Sequence, residues 1–126
     1  MPIRHLTEQS FNGTVADGIV LIDWWAAWCG PCRRFGPIFE AAAARHPDVV
    51  FAKIDVEAEA GLAESFGIRS IPTLMVFRDG LMLFAEPGML PGPVLDELVG
   101  AVKALDMAEA RRKIADRARA PASGAG

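Results

Sequence analysis

The 126-residue chain has little of what several classes of protein require. With two cysteines and two histidines, it lacks the repeated ligand pairs of a typical zinc site. No segment approaches the run of about eighteen apolar residues that a transmembrane helix needs, so we expect no membrane association. Residues 1–8 have no apolar core of a signal peptide. Few cysteines and no export signal favour the cytoplasm, where disulfides are usually transient and catalytic.

The charge of the chain is weakly acidic and unevenly distributed. The formal net charge is −3, but residues 106–126 contain five basic and three acidic side chains, which gives them +2. Residues 1–105 therefore have −5. No aromatic residue lies among the basic residues of the tail, although nucleic-acid bases stack on aromatic side chains. We therefore expect no nucleic-acid binding.

The two cysteines that are present, Cys29 and Cys32, lie three positions apart. They follow the apolar residues 19–22 and precede a segment with helical periodicity. A Cys-x-x-Cys in this position is typical of a redox dithiol. At the start of a helix, free N–H groups and the helix dipole lower a cysteine pKa from about 8.5 to roughly 3.5–7.5. Cys32, one turn further on, is then placed to attack a mixed disulfide formed at Cys29.

Two other interpretations of the cysteine pair are weaker. Half of a zinc site would need a second pair, and His5 and His46 do not have the spacing of zinc ligands. A static disulfide would close a very small loop and therefore remove little chain entropy. Gly30 lets a partner backbone approach, and Pro31 suits the first turn of a helix because its missing N–H costs nothing there. The sequence thus favours redox chemistry.

The pattern of apolar residues predicts an α/β fold. Strands are predicted at residues 19–25, 49–55, 74–77 and 81–85, and helices after an N-cap at Thr7, at residues 31–46 and 57–66, and from about residue 94. Asp79-Gly80 between apolar runs predicts a β-hairpin. Pro37 predicts a kink, because its ring removes one helical hydrogen bond. This order of elements gives a central mixed β-sheet with helices on both faces.

The chain is predicted to divide into a domain of residues 1–105 and an extension of residues 106–126. Apolar residues recur near helical spacing in the extension, at Met107, Ala110, Ile114 and Ala118. The final helix is therefore predicted to run on to about Arg119, and a disordered tail to follow from Pro121. Because this stripe is thin and rich in alanine, we interpret it as a solvated helical extension. A docking or self-association element is the alternative.

These residues resemble the thioredoxin family over roughly residues 5–105. The matching motifs fall at the family's relative spacing and comprise residues 5–7, 10–11, 22–25 and 28–32, Pro37, Lys53, and residues 67–69, 71–73, 79–80 and 88. Residues 33–40 and 66–73 are most similar to the bacterial second-type thioredoxins, which normally have an N-terminal zinc ribbon that is not seen in this sequence. The resemblance implies the thioredoxin fold and a protein-disulfide reductase that acts by thiol–disulfide exchange in cell redox homeostasis.

The resemblance implies a catalytic role for four residues. Cys29 attacks the disulfide of a client protein, and Cys32 resolves the mixed disulfide. Asp23 acts as the general base for Cys32, a role that suits a carboxylate whose pKa is raised by burial within an apolar strand. Lys53 corresponds to the family's partner for this carboxylate. The alternatives are a solvated Asp23 at a frayed strand end and a Lys53 that extends to the surface.

The resemblance also implies an apolar patch around Cys29 that binds clients. It comprises Trp28, Gly30, Pro31, Ile71, Pro72 and Gly88. Ile71-Pro72 resembles the family's cis peptide bond, and the Ile71 backbone would pair with an extended segment of the client. Of the three tryptophans, we assign Trp24 to the core, Trp25 to shaping the site and Trp28 to contact with a partner.

The expected partners are disulfide-containing clients and an NADPH-dependent thioredoxin reductase, a flavoenzyme that recharges the dithiol. The protein then needs no cofactor and no metal of its own. One alternative is a disulfide oxidase or isomerase, but these usually have a histidine between the cysteines, unlike Gly30-Pro31. The other is a redox-gated binding subunit that uses the apolar patch without turnover. Pro87 and residues 89–93 depart from a loop where many family members have a lysine, which bears on partner choice.

Overall fold

In the computed structural model, which describes residues 3–119, five strands and five helices follow one another along the chain. In order they are β1 (Arg4–His5), α1 (Glu8–Val15), β2 (Ile19–Trp25), α2 (Gly30–Arg45), β3 (Val50–Asp55), α3 (Ala60–Ser65), β4 (Thr73–Arg78), β5 (Leu81–Pro87), α4 (Gly92–Ala104) and α5 (Met107–Arg119). None of the helices in this part of the chain is long and apolar enough to cross a membrane.

The strands form one mixed sheet in the order β1-β3-β2-β4-β5. β1 and β2 both lie parallel to β3, whereas β4 is antiparallel to β2 and to β5. β2 is therefore the central strand, in agreement with its nearly continuous apolar sequence, since a strand covered on both faces has no polar side. The predicted mixed sheet is confirmed.

Each face of the sheet has its own apolar core. Successive residues of a strand point to opposite faces, so Leu21 packs on the side of α2 and α4, and Ile22 on the side of α1 and α3. The first core includes Phe35, Phe39, Phe51, Leu74, Val76, Leu95 and Val99. The second includes Phe11, Val20, Trp24, Ile54, Met75 and Phe77. Helices thus cover both faces, as the sequence predicts.

Two local signals in the sequence correspond to the structures that they predict. Thr7 is the N-cap of α1, where its hydroxyl accepts a hydrogen bond from the Ser10 N–H at 3.3 Å. The Ser10 hydroxyl in turn accepts one from the Thr7 N–H at 2.9 Å, which completes a capping box. Asp79 and Gly80 both have positive φ, +50° and +83°, which is the backbone conformation of a tight hairpin turn.

The third helix is shorter than the predicted span of residues 57–66. Its regular part, α3, begins only at Ala60. The Asp55 carboxylate accepts hydrogen bonds from the N–H groups of Glu57 at 2.8 Å and Ala58 at 3.4 Å. Because this side chain takes the N–H groups that would start a helix, the chain first makes a turn. α2, in contrast, covers nearly the predicted span and continues through Pro37.

The predicted continuation of the last helix to Arg119 is wrong. α4 ends at Ala104, and Leu105 is extended, with ψ of 139°. The Asp106 carboxylate then accepts a hydrogen bond from the Glu109 N–H at 3.1 Å, which starts the separate helix α5. This helix has no buried residue. The predicted disordered tail from Pro121 lies outside the described residues.

Candidate active site

Cys29 and Cys32 form a disulfide at the N-terminus of α2. Cys29 is the N-cap residue, and its Sγ accepts a hydrogen bond from the Cys32 N–H at 3.2 Å. Pro31 lies in the first turn, as predicted. Both cysteines are nearly fully buried. In the reduced protein, the same N–H group and the positive end of the helix dipole would stabilise a Cys29 thiolate, and so lower its pKa.

A loop segment lies against the disulfide. The Ile71–Pro72 peptide bond is cis, and the Ile71 carbonyl oxygen lies 3.7 Å from the Cys29 Sγ. The Gly88 N–H donates a hydrogen bond to the Pro72 carbonyl at 2.8 Å. Gly88 has φ of +109°, a backbone conformation that favours glycine. The structure therefore places Ile71 beside Cys29 and joins Gly88 to the adjacent Pro72.

The three tryptophans occupy three different environments. Trp24 is fully buried on the face of β2 that α1 and α3 cover. Trp25 is half-buried and packs against the two cysteines. Trp28, immediately before Cys29, is 66% exposed, more than any other large hydrophobic residue among those described. Gly30 and Pro31 lie beside it at the start of α2. Of the other predicted patch residues, Gly88 is exposed and Pro72 is buried.

Asp23 is fully buried in β2, on the side of the sheet that α2 covers. Neither of its carboxylate oxygens has a hydrogen-bond partner among the described residues. Burial raises the pKa of Asp23 to about 7, because the charged form loses its hydration, and the positive charge of Lys53 opposes this rise. The carboxyl group can therefore exchange a proton near neutral pH.

Lys53 is the register partner of Asp23 on β3, yet its ammonium group pairs elsewhere. Its Nζ lies 3.8 Å from the Glu40 Oε2 on α2 and 5.3 Å from the centroid of the Trp25 ring. Within the described residues the structure shows no ion pair between Lys53 and Asp23. Lys53 therefore acts on Asp23 through its charge and not through a hydrogen bond.

Sequence reasoning did not single out Glu40 as a site residue. No spacing rule links residues 40 and 53, because one lies on a helix and the other on a strand. Only the way that α2 lies over β3 brings them together. The signal in the sequence is faint: Glu40 occurs one helical turn after Gly36, and both residues lie near the Lys53 ammonium group.

The arrangement can exchange a disulfide with another molecule, because a helix N-terminus stabilises the attacking thiolate and a second cysteine closes the ring. Among residues 3–119, no three His, Cys, Asp or Glu side chains are grouped so that they could hold a metal ion. The class that the fold and the cysteine pair define is that of thiol–disulfide oxidoreductases.

The comparisons with known proteins identify the family within this class. The family model for thioredoxin matches residues 2–103. The chain is 50% identical to "Putative thioredoxin 2" of Streptomyces coelicolor over 114 residues, which is 90% of this chain and 85% of the relative. It is 44% identical to thioredoxin of Chlamydia muridarum over 97 residues, and 40% identical to thioredoxin of Bacillus subtilis over 100. These alignments cover 77% and 79% of this chain, and 95% and 96% of the relatives.

The chain belongs to the thioredoxin family. It is a thioredoxin-type protein-disulfide reductase, and proteins of this kind act on disulfide-containing substrates and are themselves reduced by a reductase.

Proposed function

We propose that Cys29 is the nucleophile and Cys32 the resolving cysteine of this reductase. The Cys29 thiolate attacks one sulfur of a client disulfide, so that a mixed disulfide forms and the other client sulfur leaves as a thiolate. The Cys32 thiolate then attacks the Cys29 Sγ and releases the second client sulfur. The client gains two electrons and two protons, and the protein is left with the Cys29–Cys32 disulfide. The position of Cys29 at the N-cap of α2, with its Sγ on a backbone N–H, supports this assignment.

In this mechanism Asp23 accepts the proton of Cys32 before the second attack. The observation that supports this role is the complete burial of a carboxyl group with no hydrogen-bond partner among the described residues. Its pKa of about 7 is matched to proton exchange at neutral pH. Lys53 tunes the Asp23 carboxylate by its charge. When the dithiol is regenerated, Asp23 returns this proton to Cys32, and the two protons that the client gains come from solvent.

Clients bind, in our proposal, to the surface formed by Trp28, Gly30, Pro31, Ile71, Pro72 and Gly88. The exposed Trp28 supplies apolar contact area next to the nucleophile. The backbone of Ile71, whose carbonyl lies 3.7 Å from the Cys29 Sγ, is placed to pair with an extended client segment. Such pairing uses only the client backbone and does not depend on the client's side chains, so it suits a reductase with many clients.

We also propose that an NADPH-dependent flavoenzyme, a thioredoxin reductase, returns two electrons to the Cys29–Cys32 disulfide. The protein then acts in the cytoplasm as an electron carrier without a cofactor of its own. Residues 1–105 form the thioredoxin domain in this proposal, and residues 106–126 are an extension that takes no part in the chemistry. The match of the family model to residues 2–103 and the separate helix α5 support this division.

Trapping of the mixed disulfide tests the assignment of the two cysteines. The Cys32→Ser variant is mixed with a disulfide-bonded peptide, and the products are separated on a non-reducing gel and weighed by mass spectrometry. We expect a stable adduct at Cys29, because the resolving thiol is gone. Cys29→Ser is the matched control and should form none. An adduct at Cys32 in the control, formed as fast as that at Cys29, would reverse the two roles.

A further inference from the structure

Lys53 lies between a buried acid and an exposed one. Its side chain is only 13% exposed and leads from the register position beside Asp23 to Glu40 on α2. The Glu40 side chain is 59% exposed, and its Oε2 lies 3.8 Å from the Lys53 Nζ. One ammonium group therefore has two possible anionic partners, and the structure shows it at the solvent-facing one.

The position of the ammonium group is defined by neighbours other than Glu40 as well. A Cβ atom on Gly36 would lie 3.5 Å from the Lys53 Nζ, so the group lies close to α2 at this residue. It also lies over the face of Trp25, 5.3 Å from the ring centroid, where a cation is favoured. Gly36, Glu40 and Trp25 together form a slot that holds the ammonium group.

The other charged groups near this slot lie farther along the same row of the sheet. Residues that are register partners point to the same face of the sheet. Lys53 and Asp23 belong to one such row. On one side the row continues to His5 on β1, and on the other to Leu74 on β4 and Glu86 on β5. His5 and Glu86 are exposed at the two ends of the row, and Leu74 next to Asp23 is apolar. Helix α2 covers this row, and its residue Glu40 is the one paired with Lys53.

We propose that Glu40 is a positioning residue, which holds the Lys53 ammonium group in this slot and so limits how strongly Lys53 stabilises the Asp23 carboxylate. Without Glu40, the ammonium group loses its anionic partner at the surface, and the unpartnered Asp23 carboxylate becomes the alternative. The charged form of Asp23 is then favoured. Glu40 thus keeps the proton affinity of Asp23 in the range where it exchanges a proton near neutral pH. The catalytic meaning of this rests on the proposed role of Asp23.

The titration of the Asp23 carboxyl group tests the inference directly. It is followed by carbon NMR in the oxidised protein, where the disulfide removes both cysteine titrations. In Glu40→Gln we expect the Asp23 pKa to fall by about half a pH unit or more. Glu40→Asp, which keeps the charge on a shorter side chain, should restore part of this difference. Glu97→Gln removes one exposed charge from α4 and serves as the matched control, with no expected change. An Asp23 pKa in Glu40→Gln within about a tenth of a pH unit of the parent would overturn the proposal.

A double-variant cycle with Lys53→Met separates positioning from the direct effect of the Glu40 charge. If Glu40 acts through Lys53, the effect of Glu40→Gln should largely disappear when Lys53 is already methionine. An effect of equal size in that background would show a direct influence and contradict the positioning role.

The rate of release from the mixed disulfide, measured against pH, distinguishes this inference from the proposed function. If the Asp23 pKa falls in Glu40→Gln and the rate profile moves to lower pH with it, both stand. If the carboxyl titration moves and the profile does not, Glu40 positions Lys53 as we propose, and the role of Asp23 as base is wrong.

Discussion

The two faces of the central sheet differ in one row of residues. On the side of α1 and α3, every buried residue of β2 is apolar: Val20, Ile22 and Trp24. On the side of α2 and α4, the same strand places Asp23 directly after an apolar core around Leu21. The buried residues of the first face are all apolar, whereas the second face also contains a buried carboxyl group.

Because of this difference, only one face of β2 contains a residue that can lower the free energy of unfolding. A buried, ionisable carboxyl group without a hydrogen-bond partner lowers the free energy of unfolding whenever it is charged. An apolar residue one position away contributes stability that does not depend on pH. Substitutions at neighbouring residues of β2 should therefore change the free energy of unfolding with opposite signs.

Asp23→Asn should stabilise the protein at alkaline pH. The folded-state pKa of about 7 exceeds the unfolded value of 3.8, so the stability that protonated Asp23 contributes is present below pH 3.8 and is lost as the pH rises through 7. The variant lacks this loss and should be more stable at pH 9 by on the order of 4 kcal/mol. Urea unfolding of both oxidised proteins from pH 4 to 9 measures the difference. Equal slopes with pH in the two proteins would mean that Asp23 titrates normally.

Ile22→Ala should destabilise the protein by about 3 kcal/mol, because it removes a fully buried side chain and leaves a cavity in the core beneath α1 and α3. The same urea series provides the measurement. Since no titrating group is removed, we expect the loss to be constant from pH 4 to 9. A loss that changes steeply across that range would show that the two faces are coupled and that the contrast is wrong.

Ile114→Ala should change the free energy of unfolding by no more than about 0.5 kcal/mol. Ile114 is 37% exposed, and no residue of α5 is buried. The reductase activity should not change either, because α5 lies outside the proposed chemistry. Urea unfolding and a peptide-disulfide reduction assay check both points. A loss of 2 kcal/mol or more would place α5 in the structural core of the domain and remove the proposed division at residue 105.

The parts of the fold that sequence predicts well are those set by local chemistry. The nearly continuous apolar run gives β2, the Thr7 and Ser10 hydroxyls give the start of α1, and Asp79-Gly80 gives the hairpin turn. The cysteine pair is found in the same way, because its spacing alone places both sulfurs on the first turn of α2. Each of these features depends on residues that are close together in the sequence.

The features that the sequence does not predict depend on which group a single carboxylate contacts. Asp55 delays the start of α3, and Asp106 begins a new helix where the helical periodicity runs on without a glycine or proline. The pairing of Lys53 with Glu40 depends on how α2 lies across β3, which no spacing along the chain expresses. The apolar neighbours of Asp23 in the sequence predict its burial, but they do not predict that it lacks a hydrogen bond to Lys53.

The central claim is that the Cys29–Cys32 pair is a reductant, and its reduction potential tests this most directly. The protein is equilibrated against a series of glutathione or dithiothreitol ratios, and the two redox forms are separated after alkylation. We expect a potential well below about −180 mV, the value typical of protein disulfide isomerase. A potential at or above that value would contradict the account and make the protein a disulfide oxidase or isomerase.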